Sequence, residues 1–448
     1  MAEIIPFRAL RYNTLRFGGH TPLVAPPYDV ISPDYQDELY RRHRHNVVRL
    51  DFGKTLLDDD TLENRYSRAT TYLRRWVEEG ALIQDPEPAI YYYKVDYTTR
   101  SGDQKTMSGF ISLLRLEEWD RGVVLPHEGT LKGPKVDRLE LLKTTGVSAS
   151  QIFSLYSDPK KVITKAFEAA ITGKAPDMEA LDDDGATHRV WVVTDQDVVD
   201  TARRALSDRP VFIADGHHRY ETALAFRDYC RKQWSLGGNE TYNYVPMFLA
   251  NMDEDGLTVL PTHRLIKDAG GKKLDDIIKE ASKFFDVEGI WFSDDNEPDK
   301  MREFLKRLEE TGRTSHTFGF YFKGTPTFYL LKLKEKGAVR DIVGCSRSES
   351  YCNLDVTILH ELIVEKVLGI DTKMIANNQQ VQPVQFEKDG ARAVERVSSG
   401  EFQMCFLLNA TKVNEVKEVA LAREIMPQKS TYFYPKLLTG LVIARIVP

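Results

Sequence analysis

Hydrophobic positions along the chain recur with two spacings, about every second residue and about every 3.6 residues. Segments of the two kinds follow one another from the N-terminus on, as in a mixed α/β protein. The prolines of Ala25-Pro26-Pro27-Tyr28-Asp29-Val30-Ile31-Ser32-Pro33 fix φ and exclude helix up to Ser32, after which Asp34 starts one. Residues 46–51 read as a strand. Residues 62–80 predict an amphipathic helix with Tyr66, Ala69, Leu73, Trp76 and Val77 on one side and Gly80 as its C-cap. Apolar, aromatic runs at 89–95 and 107–116 flank Ser101-Gly102-Asp103 and predict a hairpin. Next come a short apolar run ending in Pro126-His127-Glu128, a helix over 136–144, a helix over 160–171, a strand over 189–194 and a helix over 195–206.

Residues 211–214 then read as a core strand, and Ala223, Leu224 and Phe226 as one side of a helix. Between them lies the polar turn Asp215-Gly216-His217-His218-Arg219. A helix start presents unpaired N–H groups, so a glycine turn that adds His and Arg is suited to phosphate, with Asp215 placed to hold Mg²⁺ or accept a proton. An ordinary turn with satisfied histidines is the other reading. Beyond a turn at 237–239, apolar pairs at 244–249 and 257–260 end in Pro261-Thr262-His263-Arg264, either a phosphate contact or a polar turn.

From about residue 270 a second α/β unit is expected, with helices near 273–285, 299–310 and 356–368 and strands at 319–322, 327–333, 402–408 and 441–446. Asp355 supplies an acidic start for the third helix. Lys429, Ser430 and Lys436 lie in a rigid aromatic loop, suited to an anion or to an interdomain contact. His127 and Glu128 stand at a strand end, where Glu128 serves as general base or is simply exposed.

Composition narrows the classes. The chain has 448 residues, 42% hydrophobic and 29% charged, enough for two or three domains with sizeable cores. A net charge of −6 spread over 61 basic and 67 acidic residues provides no general attraction for nucleic acid or anionic lipid. The run Arg41-Arg42-His43-Arg44-His45 reads as a solvated face. Four irregularly spaced cysteines provide no disulfide framework and no zinc pair, which fits a reducing cytosol. No run approaches a membrane span, so a cytoplasmic location is expected.

Four motifs together carry a resemblance. They are Ala25-Pro26-Pro27-Tyr28-Asp29-Val30, Pro126-His127-Glu128, Ala214-Asp215-Gly216-His217-His218-Arg219-Tyr220, and Met426-Pro427-Gln428-Lys429-Ser430-Thr431-Tyr432-Phe433-Tyr434-Pro435-Lys436. With them the chain resembles the DUF1015 family over essentially its whole length. The Asp-Gly-His-His-Arg turn, with Pro-His-Glu upstream, is similar to that of the free serine kinases of the ParB/sulfiredoxin-like superfamily. That resemblance implies a nucleotide-binding core over 86–265, between an N-terminal segment packed on it (1–85) and a C-terminal α/β domain (266–448).

The implied activity is phosphoryl transfer from ATP or ADP, with Mg²⁺, to the hydroxyl of free serine or a similar hydroxy metabolite. Glu128 and Asp215 would be catalytic, with Asp215 also a ligand to Mg²⁺, and Gly216, His217, His218 and Arg219 would hold phosphate. Further contacts are expected from His127, Thr262, His263, Arg264, Lys429, Ser430 and Lys436. Sulfinic acid reduction is not expected, since His217 stands where sulfiredoxin has its cysteine. The acidic balance argues against a DNA clamp like that of ParB. The partners expected are nucleotide and metabolite, with neither membrane nor nucleic acid, and a homo-oligomer stays open. Two alternatives stand beside the kinase: a non-catalytic CTP or ATP switch, and a metal-dependent hydrolase built on His217 or His218 with Glu221.

Overall fold

A computed structural model describes residues 1–130, 132–234, 238, 240–334, 340, 345–370 and 384–447. Two compact units share the chain. One takes residues 1–126, 130–258 and 435–448; the other takes 127–129 and 259–434. Residues 1–85 thus belong to the same unit as most of 86–265, and the last fourteen residues return to it.

The first unit is built on nine strands: β1 (Ile4–Ile5), β2 (Ile90–Thr98), β3 (Gln104–Arg115), β4 (Val124–Leu125), β5 (Ile152–Tyr156), β6 (Met178–Leu181), β7 (Thr187–Val193), β8 (Val211–Asp215) and β9 (Tyr244–Asn251). Their order is β4-β8-β5-β9-β3-β2-β7-β6, with β1 beside β3. The expected hairpin is β2–β3, in register from Tyr91↔Ile111 to Thr98↔Gln104. Only β4–β8 and β5–β9 are parallel pairs, so the sheet is mixed. In the core, Phe167 stacks on both Tyr92 and Phe110, with ring centroids 5.1 Å apart in each pair.

Helices of this unit include α1 (Pro33–Arg42), α2 (Val48–Asp51), α3 (Arg65–Glu78), α4 (Lys132–Thr145), α5 (Val162–Ile171), α6 (Gln196–Leu206) and α7 (His217–Trp234). Ser32 caps α1 by accepting from Tyr35 N–H, and Asp195 caps α6 in the same way. Gly80, at φ 68°, follows α3 in the left-handed conformation expected of a terminating glycine.

Residues 46–51, expected as a strand, instead enter α2. Asn46 Nδ2 donates to the carbonyls of Pro22 and Val24, and its Oδ1 accepts from Val48 N–H, which turns the chain into a helix at that point. A 3₁₀ turn at Tyr28–Val30 also forms where the prolines were read as excluding helix; Pro27, at φ −56°, sits just before it. The basic run 41–45 is only partly solvated: His45 is buried and its Nε2 lies 2.6 Å from Glu79 Oε1.

The second unit holds a six-stranded antiparallel sheet: β10 (His263–Ile266), β11 (Phe285–Trp291), β12 (Thr317–Phe322), β13 (Thr327–Leu333), β14 (Val384–Glu387) and β15 (Met404–Leu407), ordered β11-β13-β12-β15-β10-β14. Two expectations are corrected. Residues 261–264 do not form a polar tip, because His263 and Arg264 are buried in β10, His263 paired with β14 and Arg264 paired on both sides. The helix expected over 273–285 ends at Ala281, and the alternation from Phe285 onward belongs to β11. The helix expected over 356–368 begins as α-helix at Asp355–Ile358 and continues as π-helix over Leu359–Val367.

Back in the first unit, 441–446 contributes only Ala444–Arg445, paired with Val147–Ser148. Cys345 and Cys352 form one disulfide, whereas Cys230 and Cys405 are buried thiols. The irregular spacing gave no reason to expect that pairing. Of the turn at 237–239, Gly237 and Asn239 lie outside the described residues. No helix among the described residues is long and apolar enough to cross a membrane.

Gly109 in β3 permits the closest approach in the large sheet, since a Cβ there would lie 2.5 Å from the Leu249 carbonyl oxygen and from the Phe248 ring. Gly109→Ala is expected to destabilise the protein by about 1–3 kcal/mol, read from the midpoint of urea unfolding.

Candidate functional site

Strand β8 delivers Asp215 from a buried apolar run, with Val211 to Ala214 inside the core. Its register against β5 shifts between Ile213 and Asp215. A bulge of this kind re-aims the side chain that follows it. Gly216 then takes φ 99°, a conformation that requires glycine, and the Arg219 guanidinium lies where a Cβ would stand, 2.9 Å away at Nε. Helix α7 starts at once, with Tyr220 N–H donating to the Gly216 carbonyl. Tyr220 fixes the first turn of α7 from below: its hydroxyl donates to the Glu117 carbonyl and accepts from Glu117 N–H.

Cations converge on Asp215. Lys436 Nζ donates to Asp215 Oδ2 at 2.8 Å, with both side chains largely buried. Arg219 folds back over Gly216, and its Nη1 donates to the Gln151 carbonyl. Burial alone would raise the pKa of Asp215, but Lys436, Arg219 and His217 outweigh it and hold the carboxyl well below the usual range. Asp215 thus faces one lysine, one arginine and the positive end of an 18-residue helix, while the Asp51 carboxylate also acts on Arg219. His217 is buried beside this group, and His218 is partly exposed. Glu221 offers little to a metal, since its Oε2 accepts from Thr130 Oγ1 at 2.7 Å and from Lys135 Nζ at 2.6 Å. No group of three His, Cys, Asp or Glu side chains suited to a metal occurs among the described residues.

Arg219 also lines a cavity of the first unit with Asp51, Arg138, Thr222, Phe226 and Tyr244. There the Arg138 guanidinium lies over the Tyr28 ring at 4.3 Å and pairs with Asp137 at 2.6 Å and Asp51 at 3.4 Å. Burial pushes the Asp51 carboxyl up, against the pull of Arg138 and Arg219. None of Asp51, Arg138 or Gln151 was singled out from sequence, because each lies in an unremarkable pattern. The motif containing Tyr28 was the one available signal.

The remaining expected residues fall in the second unit. Glu128 Oε1 accepts from Lys429 N–H at 3.0 Å, and the Lys429 carbonyl accepts from Thr262 Oγ1 at 2.5 Å. Thr262 Oγ1 in turn accepts from Arg264 Nη1 at 2.7 Å. Lys429 holds φ 57°, an uncommon conformation for a residue with a side chain. His127 is buried with Nε2 3.0 Å from Thr431 Oγ1, the Ser430 carbonyl accepts from Thr411, and His263 Nδ1 accepts from Leu408 N–H. The thirteen expected residues therefore form two sets. Asp215, Gly216, His217, His218, Arg219 and Lys436 lie in one unit, and Glu128, His127, Thr262, His263, Arg264, Lys429 and Ser430 in the other.

Comparison with known proteins finds a match between residues 4–357 and a family described as "Protein of unknown function (DUF1015)". No curated protein matches the chain. Among solved structures, a free serine kinase in complex with AMP is 13% identical, with a TM-score of 0.32, over 71% of this chain and 89% of that one. A conserved hypothetical protein from Pyrococcus furiosus is 12% identical, with a TM-score of 0.31, over 71% of this chain and 92% of that one. SbnI from Staphylococcus aureus, truncated at its C-terminus, is 10% identical, with a TM-score of 0.34, over 74% of this chain and 86% of that one. At such TM-scores the likenesses carry no argument here.

Because the folded state depresses the pKa of Asp215, its ion pair contributes stability above the ordinary aspartate range, near 4, and loses it as pH falls further. Asp215→Asn is expected to cost about 1–3 kcal/mol at pH 7. In paired urea titrations that difference should be constant from about pH 5 to 8 and shrink below about pH 4.

Proposed function

The chain belongs to the DUF1015 family of proteins of unknown function, and we propose that it is a nucleotide-dependent small-molecule kinase whose phosphate-binding element is the turn Asp215-Gly216-His217-His218-Arg219. The observation that supports this reading most is the charge balance at the start of α7. Lys436 answers Asp215, while Arg219 and the helix terminus bring positive charge to the end of a buried strand. Phosphoryl transfer needs mainly positioning and charge neutralisation, which such a turn supplies without a covalent intermediate.

In this reading ATP or ADP places its phosphates on the α7 N–H groups, with Arg219, Lys436 and the two histidines around them. The hydroxyl oxygen of a small hydroxy metabolite attacks the terminal phosphorus as the bond from that phosphorus to the bridging oxygen breaks. The hydroxyl proton passes to a carboxylate. Asp215, held ionised far below the usual range, suits the task of fixing Lys436 better than that of accepting the proton, which falls to Glu128. Resident Mg²⁺ does not fit at Asp215, because its carboxylate is already held by Lys436 and faces Arg219 and His217.

The test is incubation of the purified protein with Mg²⁺, ATP or ADP and a panel of hydroxy metabolites, with products followed by mass spectrometry. Arg219→Gln is expected to weaken nucleotide binding roughly tenfold to hundredfold. Glu128→Gln should lower kcat by about 10²–10⁴ with nucleotide affinity kept. Unchanged turnover in Glu128→Gln would remove Glu128 from the mechanism. Nucleotide bound without turnover on any acceptor would identify a regulatory switch, and a protein that binds no nucleotide would end both readings.

A further inference from the structure

Arg264 is buried on a strand that is paired on both sides, a place where a guanidinium is costly unless its charge is answered. Strand β10 has β14 on one side and β15 on the other, and Arg264 is in register with Phe386 and Phe406. The guanidinium lies 4.9 Å from the centre of the Phe386 ring. Its hydrogen bonds run from Nη1 alone, to the carbonyl and Oγ1 of Thr262. Among the described residues, neither Nε nor Nη2 has an acceptor, and Arg264 forms no ion pair. Burial without a paired carboxylate lowers its proton affinity, and the charge that counters this is Glu128.

Glu128 and Arg264 are held in place by the same residue. Lys429 N–H donates to Glu128 Oε1, and the Lys429 carbonyl accepts from the Thr262 hydroxyl that orients Arg264. The two charges are therefore tied to one residue, Glu128 to the Lys429 N–H and Arg264 through Thr262 to the Lys429 carbonyl, without forming an ion pair with each other. On the same charge acts the π-helix Leu359–Val367: Arg264 helps to depress the His360 imidazole, after burial. π-helical turns occur often at functional sites.

We propose that Arg264 is the receptor for the carboxylate of a small hydroxy acid, and so the residue that restricts the acceptor to acids. The two open N–H groups, Nε and Nη2, form one fork of the kind that takes one carboxylate in two parallel hydrogen bonds. Glu128 decides between oxyanions, because its negative charge disfavours a dianionic phosphate on Arg264 more than a monoanionic carboxylate. A ligand with its carboxylate on Arg264 presents its hydroxyl toward Glu128, the assigned proton acceptor. In that respect the inference rests on the kinase reading, whereas the binding of a carboxylate by Arg264 does not.

Equilibrium binding without nucleotide therefore separates the two. Titration calorimetry of the full chain with glycerate, glycolate, glycerol and inorganic phosphate is expected to show saturable binding of the two acids and binding of glycerol at least about a hundredfold weaker. Arg264→Lys should weaken glycerate roughly tenfold, and Arg264→Gln should abolish its binding. Should Arg264→Gln fail to fold, judged by circular dichroism, Glu128→Gln decides: removal of the opposing charge should tighten glycerate binding by a factor of about three or more. Glycerol bound as well as glycerate, phosphate preferred over both acids, or Glu128→Gln weakening glycerate would each overturn the proposal. Glycerate that binds while no acceptor of the panel is phosphorylated would leave the Arg264 receptor standing and sink the kinase.

Discussion

The ion pair of Asp215 and Lys436 joins the end of the buried strand β8 to a segment 221 residues further along the chain, and the geometry of the turn depends on it. Without Lys436, a carboxylate set behind an apolar strand would be driven toward its neutral form by burial. With it, Asp215 stays ionised next to Gly216, which turns at positive φ, and Arg219, which lies over the glycine. The last fourteen residues are thus part of the unit that carries the turn, with Ile443 bonded to Leu10 and Ala444–Arg445 to Val147–Ser148.

Charge is arranged differently in the two units. At the turn, opposite charges meet directly beside a helix terminus. Around Arg264 the opposite charge is kept off by an intervening residue, and the guanidinium is satisfied on one nitrogen only. The first arrangement suits a polyanion approaching a helix terminus; the second suits one small carboxylate. The second depends on the backbone of Lys429, whose N–H and carbonyl are both engaged in a loop where that residue sits at positive φ.

Particular elements show how far the chain could be read in advance. The β2–β3 hairpin, α3, α6 and the strand–turn–helix at 211–234 follow from local periodicity, capping residues and a glycine, all of which act within a few positions. Residues 46–51 carry an equally apolar run and yet fold as helix, because Asn46 is held by the carbonyls of Pro22 and Val24. Thr262-His263-Arg264 read as a polar tip and lie inside a sheet, because polarity in sequence says nothing about which strands will flank a segment. Asp51, Arg138 and Gln151 were silent for the same reason: their neighbours in space are far away in sequence.

By itself the sequence determined the class of fold, the family motifs and the chemistry available at 215–219, since Asp, Gly, His and Arg at a strand–helix junction restrict one another locally. Only tertiary structure decided which of the motif residues share a unit. It placed Lys436 on Asp215 and tied Glu128 to Lys429, while leaving Arg264 buried without a carboxylate. Such pairings are set by the burial of charge across long separations, where the cost of desolvation selects the partner, and no pattern of neighbouring residues records that cost.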